Sequence, residues 1–145
     1  MSESGVPKNV FERLKFEYPS LKYVKTQSTK TTHGAMLVNI PGVFSHHDPC
    51  NITYRLIIDA RDFPSHKPQA FVFIPSDEEI QHCNIHHARP YSIWPNRLLC
   101  ALCDGISSEK WNSFEGDELH LFGLWLNQIS QVLNEPNPDD AARDV

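Results

Sequence analysis

A histidine, a cysteine and an asparagine stand together at His82-Cys83-Asn84, and two more cysteines follow at Cys100 and Cys103. A thiol that performs carbonyl chemistry needs a fixed, exposed position and a hydrogen-bond donor aimed where negative charge builds up on the acyl oxygen. The amide of Asn84 can be that donor, which makes Asn84 and one of the later thiols a candidate acyl-transfer pair. No Ser-centred or Gly-rich phosphate motif competes with it. The plain alternative is that Asn84 caps a turn, a role compatible with the first. Cys100-Ala101-Leu102-Cys103 also has zinc-ligand spacing, and His46-His47, His82 and His86-His87 could complete a site. With no second cysteine pair at a conventional spacing, a zinc or redox protein is a rival reading, and no metal or cofactor is assigned.

The elements that position these residues must come from a chain of 145 residues, enough for a single domain over 1–145 with its core at about 10–140. Hydrophobic residues make up 40% of it, which fits a folded globule. Thirteen Lys and Arg against 18 Asp and Glu give a net charge of −5, so no basic field draws in nucleic acid or an anionic membrane. The N-terminus has neither a basic start nor an apolar run, and no stretch of about 18 apolar residues occurs. From these features a soluble, cytoplasmic protein is expected, with its cysteines reduced.

Periodicity predicts a helix beginning with Pro7 in its first turn, carrying Val10, Phe11, Leu14 and Phe16 on its apolar side, and ending at Tyr18 or before, ahead of Pro19. Its face of Lys8, Glu12, Arg13 and Lys15 is expected in solvent. Residues 27–33 read as a loop or an irregular edge strand. Strands are expected at 35–40, stopped by Pro41-Gly42, at 52–59 and at 70–74, making an antiparallel meander with one face free for the N-terminal helix. From Ser76 to Trp111 no clean period appears, and irregular stretches of that length are usually functional. Leu119, Phe122, Leu126, Ile129 and Leu133 mark a long core-facing helix, with Trp111 and Trp125 expected to cover the core. The last residues, after Asn134 to Asp140, are expected to fray. The fold class is therefore α+β.

In that order the pieces resemble the ubiquitin-conjugating enzymes. Tyr54 to Asp59, then Asp62 to Phe73, is similar to that family's central strand, its "YPFKPP" turn and the next strand. His82-Cys83-Asn84-Ile85 resembles its His-Pro-Asn-Ile motif with Cys83 in place of proline. Leu99-Cys100-Ala101-Leu102 or Leu102-Cys103-Asp104 resembles the "ICLD" active-site region, Trp111 the tryptophan after it, and Leu133 to Pro138 the "L-x-EPNP" end of a helix. Two departures are an enlarged loop that includes Arg89 to Pro95 and an end soon after Pro138, both traits similar to compact bacterial relatives of antiphage operons.

The resemblance implies a cysteine thioester enzyme. An activating enzyme hands over the C-terminus of a ubiquitin-like protein or of a cyclic-oligonucleotide synthase, and the amine of a target protein receives it. It further implies Asn84 as oxyanion donor and His82 as a brace for the loop. Cys100 is preferred as the nucleophile because Asn96-Arg97-Leu98-Leu99 before it resembles the bacterial approach to the cysteine. Cys103, eight residues before Trp111, is the alternative; its register puts Asp104 where the family has an inward leucine. A catalytically inactive fold relative acting as a protein-binding module remains a competing expectation. The loop 86–95, with Arg89, Tyr91 and Trp94, is expected either to dock partners or to fold back over the sheet.

Overall fold

In the computed structural model, residues 5–29 and 33–144 are described, so residues 30–32 of the expected loop or edge strand lie outside it. Val10 and Leu14, a turn apart, bury one side of a short helix, α1 (Lys8–Leu14). Pro7 precedes this helix as its N-cap, not as part of the first turn. Phe16, expected on the apolar side, lies past the helix end and is 84% exposed. Lys8, Glu12, Arg13 and Lys15 are exposed.

Strands β1 (Lys22–Tyr23), β2 (Ala35–Val43), β3 (Asn51–Asp59), β4 (Gln69–Ile74), β5 (Arg89–Pro90) and β6 (Leu98–Ala101) form an antiparallel sheet in the order β1-β2-β3-β4-β6-β5. Pro41-Gly42 does not stop β2, which stays paired with β3 from Ala35↔Asp59 to Val43↔Asn51. The pair is accommodated for a packing reason. A Cβ on Gly42 would lie 2.8 Å from the carbonyl oxygen of Leu133, so a glycine lets the end of the long helix approach the strand.

That helix, α3 (Glu118–Asn134), starts on the Asp117 carboxylate, which accepts from the His120 N–H, and buries Phe122, Trp125, Leu126, Ile129 and Leu133. It lies against β2, and α1 packs against α3, so α3 covers the sheet where the sequence had offered the face to α1. The alternation of the strands sorts their side chains between two clusters. Met36, Val38, Ile40, Tyr54, Leu56, Ile58, Ala70, Val72, Cys100 and Leu102 join the helical core, whereas Ala35, Ile57, Phe71 and Leu99 face the other side.

The segment from Ser76 to Trp111, irregular in sequence, builds both β5 and β6 and leads into α2 (Ser108–Ser113), which Ser107 caps. Trp111 is buried there and donates its indole N–H to the Pro64 carbonyl at 3.2 Å. Between β5 and β6 the enlarged loop folds back over the second sheet face. Ile93 is buried, Tyr91 meets Phe71 with ring centres 4.5 Å apart, and Trp94 meets Phe73 at 5.8 Å. The Arg97 guanidinium sits 5.2 Å from both the Phe73 and Trp94 rings. Residues 141–144 do not trail away as expected: after the 3-10 turn Pro138–Asp140 they lie across the body, with Arg143 buried.

Candidate functional site

Leu102 continues the line of β6 by a bridge to Ile85, and the next residue, Cys103, donates its backbone N–H to the Asn84 carbonyl at 2.9 Å. This bond brings the asparagine motif and one thiol side by side. Along an extended chain, residues three apart point to opposite faces. Cys100 therefore turns inward and is 3% exposed, whereas Cys103 is partly exposed. Burial pushes the Cys100 thiol pKa up and the charge of Asp77 adds to this, with Arg143 pulling the other way.

The two thiols belong to different clefts. Cys100 lines one of roughly 360 Å3 with Phe73, Asp77, Arg97 and Leu98. Cys103 lines one of roughly 220 Å3 whose walls include Asn84, Asp104, Gln128, Glu135, Asn137 and Asp140. The Cys103 Sγ lies 3.8 Å from the Asp140 Oδ2. Among the described residues, no three or more His, Cys, Asp or Glu side chains are grouped so as to hold a metal ion. Cys50 is exposed, and Cys83 is buried with its Sγ 3.6 Å from the Asn84 Oδ1.

Asn84 is 3% exposed and fully engaged. Its Nδ2 donates to the carbonyls of Asn137 and Asp140 at 3.0 and 3.1 Å, and its Oδ1 accepts the Asn137 N–H at 2.8 Å. An amide nitrogen carries two hydrogens, so both are committed in this conformation. His82 holds the motif from beneath. The Asn84 N–H reaches the His82 Nδ1 at 3.2 Å, which puts the imidazole hydrogen on Nε2, facing the Val132 carbonyl at 3.0 Å. Burial lowers the His82 pKa, opposed by the carbonyls of Val132 and Leu133, while the charges of His46 and Arg143 also lower it. A neutral imidazole in this setting anchors a loop.

Asp104, the polar residue beside Cys103, points inward and is satisfied there. Its carboxylate meets the Lys67 Nζ at 2.7 Å, the Trp125 indole N–H at 3.2 Å and the Ile106 N–H at 2.8 Å. The aspartate is accommodated inward because a cation and two N–H donors come with it.

The sequence offered Asn84 and His82 with Cys100 as the preferred thiol and Cys103 as the alternative; the structure sets Cys103 beside Asn84, and three residues that shape the cleft were missed. Asp140 belongs to the acidic pair Asp139-Asp140, which lay in a segment read only as a helix stop. Lys67 sits in the proline-rich turn, where nothing marks it as the partner of Asp104. Arg143 had no signal at all, yet its guanidinium donates to the carbonyls of Ile85, Asp77, Ile80 and His86 and to the Asp77 carboxylate. No protein-family model, no curated protein and no solved structure matches this chain.

Proposed function

We propose that the protein is a ubiquitin-conjugating-type acyltransferase whose acyl carrier is Cys103. The observation that carries this reading is the juxtaposition of a partly exposed thiol, bonded through its own backbone to Asn84, with the Asn84 side chain in the wall of the same cleft. Cys103 replaces Cys100, the thiol preferred from sequence, because Cys100 is buried and burial disfavours its thiolate. In the first step the Cys103 thiolate attacks an incoming thioester, forms a new C–S bond and releases the donor's thiolate. In the second an amine attacks the same carbonyl carbon, the C–S bond breaks, and the proton lost by nitrogen passes to water. A thioester is already activated, so positioning and a donor for the tetrahedral oxyanion are the main requirements.

The resemblance supplies the partners of this proposal. They are an activating enzyme, a ubiquitin-like protein or the C-terminus of a cyclic-oligonucleotide synthase as cargo, and an amine-bearing target protein, in a bacterial cytoplasmic antiviral pathway. The test is incubation with a cognate activating enzyme, ATP and cargo. A covalent adduct cleaved by reductant is expected in the wild type and in Cys100→Ala, and none in Cys103→Ala. An adduct lost in Cys100→Ala and kept in Cys103→Ala returns the role to Cys100. No adduct in any form leaves the binding-module reading, which the full engagement of Asn84 favours.

A further inference from the structure

We infer that residues 137–143 are a latch on the thiol cleft, closed in this structure, and that transfer from Cys103 requires the latch to lift. The inference rests on the thioester reading for its functional meaning and on geometry for its existence. Both hydrogens of the Asn84 amide are spent on the latch, on the carbonyls of Asn137 and Asp140. A tetrahedral oxyanion formed on Cys103 can receive an N–H from this side chain only after one of those bonds opens. The same segment sets the Asp140 carboxylate at the Cys103 sulfur, so closure both fills the donor and narrows access to the nucleophile.

The latch is fastened by polar bonds and by little else. Ala142 donates its N–H to the Cys83 carbonyl at 2.6 Å, and the buried Arg143 reaches Ile85 O at 2.6 Å, His86 O at 2.7 Å and the Asp77 carboxylate at 2.8 Å. From Asn137 to Arg143 the side chains include no large apolar group. Opening therefore trades protein hydrogen bonds for bonds to water and exposes little apolar surface, the character of a segment that opens locally without unfolding the body. By contrast, α3 behind the cleft buries Phe122, Trp125, Leu126, Ile129 and Leu133 and cannot lift in this way.

The test combines native-state hydrogen exchange of the wild-type chain with thiol labelling of a variant. The amides of Ala142 and Asn137 are expected to exchange at least about a hundredfold faster than the buried amides of α3, through an opening insensitive to low urea. Exchange at the same rate as α3, by global unfolding, overturns the latch whatever any variant does. In Arg143→Ala, iodoacetamide is expected to label Cys103 about threefold faster or more, with the near-ultraviolet signal of the tryptophans unchanged; an unchanged labelling rate in that folded variant also overturns it. If Arg143→Ala loses the tryptophan signal, the exchange result alone decides. Once an adduct is formed, its discharge to a small amine is expected to quicken in Arg143→Ala and to lose that gain in Arg143→Ala with Asn84→Ala, whereas slower discharge in the single variant means that the segment is a required wall. Failure to form any adduct sinks the thioester reading and leaves exchange and labelling to judge the latch.

Discussion

The cleft at Cys103 has two walls made of polar bonds, and they are anchored very differently. On one side Asp104 is held by Lys67 at 2.7 Å, by the Trp125 indole and by the Ile106 N–H, and Gln128 of α3 donates to its carbonyl at 2.9 Å. On the other side Asn84 is held by Asn137 and Asp140 of a segment that has no regular element beyond one 3-10 turn. The first wall is rooted in a helix with an apolar face; the second is fastened by polar bonds at Asn137, Asp140, Ala142 and Arg143 and has no apolar face of its own. A cleft built this way keeps the base of the nucleophile fixed while its rim can change.

The comparison breaks most sharply at Lys67. Removing it leaves the Asp104 carboxylate, 4% exposed, without its counter-charge, and breaking a buried pair from one side typically costs about 3 kcal/mol. Lys67→Met is therefore expected to lower the urea midpoint strongly, and Lys67→Met with Asp104→Asn to recover part of that loss, since asparagine removes the charge and keeps an acceptor for the N–H groups of Trp125 and Ile106. If Lys67→Met costs no more than a surface substitution, the Asp104 side is not the rigid wall.

A second, smaller effect is expected where the rigid wall meets the sheet. Gly42→Ala places a Cβ 2.8 Å from Leu133 O and 2.9 Å from Leu133 Cβ, so the end of α3 must move. Overpacking of this kind costs about 1–3 kcal/mol, and thermal unfolding reads it directly. Because the latch leaves from that same end of α3, exchange at Ala142 is expected to quicken as well. A neutral Gly42→Ala would mean that α3 is less firmly seated than the geometry indicates.

The rigid half of the molecule was also the legible half. Leu119, Phe122, Leu126, Ile129 and Leu133 announce α3 because a helix burying one stripe against a sheet must repeat its apolar residues at that spacing. The strands at β3 and β4 were equally plain, and the mixed α+β arrangement followed. What escaped was built from contacts distant in sequence. β6 is four residues long and α2 six, too short to show a period. The lid of Tyr91, Ile93 and Trp94 is apolar for the sake of the outer sheet face, and its sequence alone suits a docking loop equally well. Cys100 looked like the better nucleophile by register with its neighbours, but the alternation of β6 decides which thiol faces the core. Arg143 lies 58 residues from Ile85, whose carbonyl it holds, and no local pattern encodes such a pairing.

The smallest effect expected is a pH dependence that enters through the releasable side. His82 is buried, and with its pKa held below the ordinary value it stays neutral while the unfolded chain's histidine takes up a proton. As pH falls below about 6.5, the usual histidine value, the unfolded state binds more protons than the folded one, so stability is full above that point and declines as pH drops toward the folded pKa. Protonation would also remove the Nδ1 acceptor used by the Asn84 N–H, so the loss is expected at the motif that the latch grips. Urea midpoints measured between pH 7.5 and 5 are therefore expected to fall on the acid side, with a shallower decline in His82→Gln. A flat profile in the wild type, or an identical slope in the variant, would remove His82 as the group that links the Asn84 wall to pH.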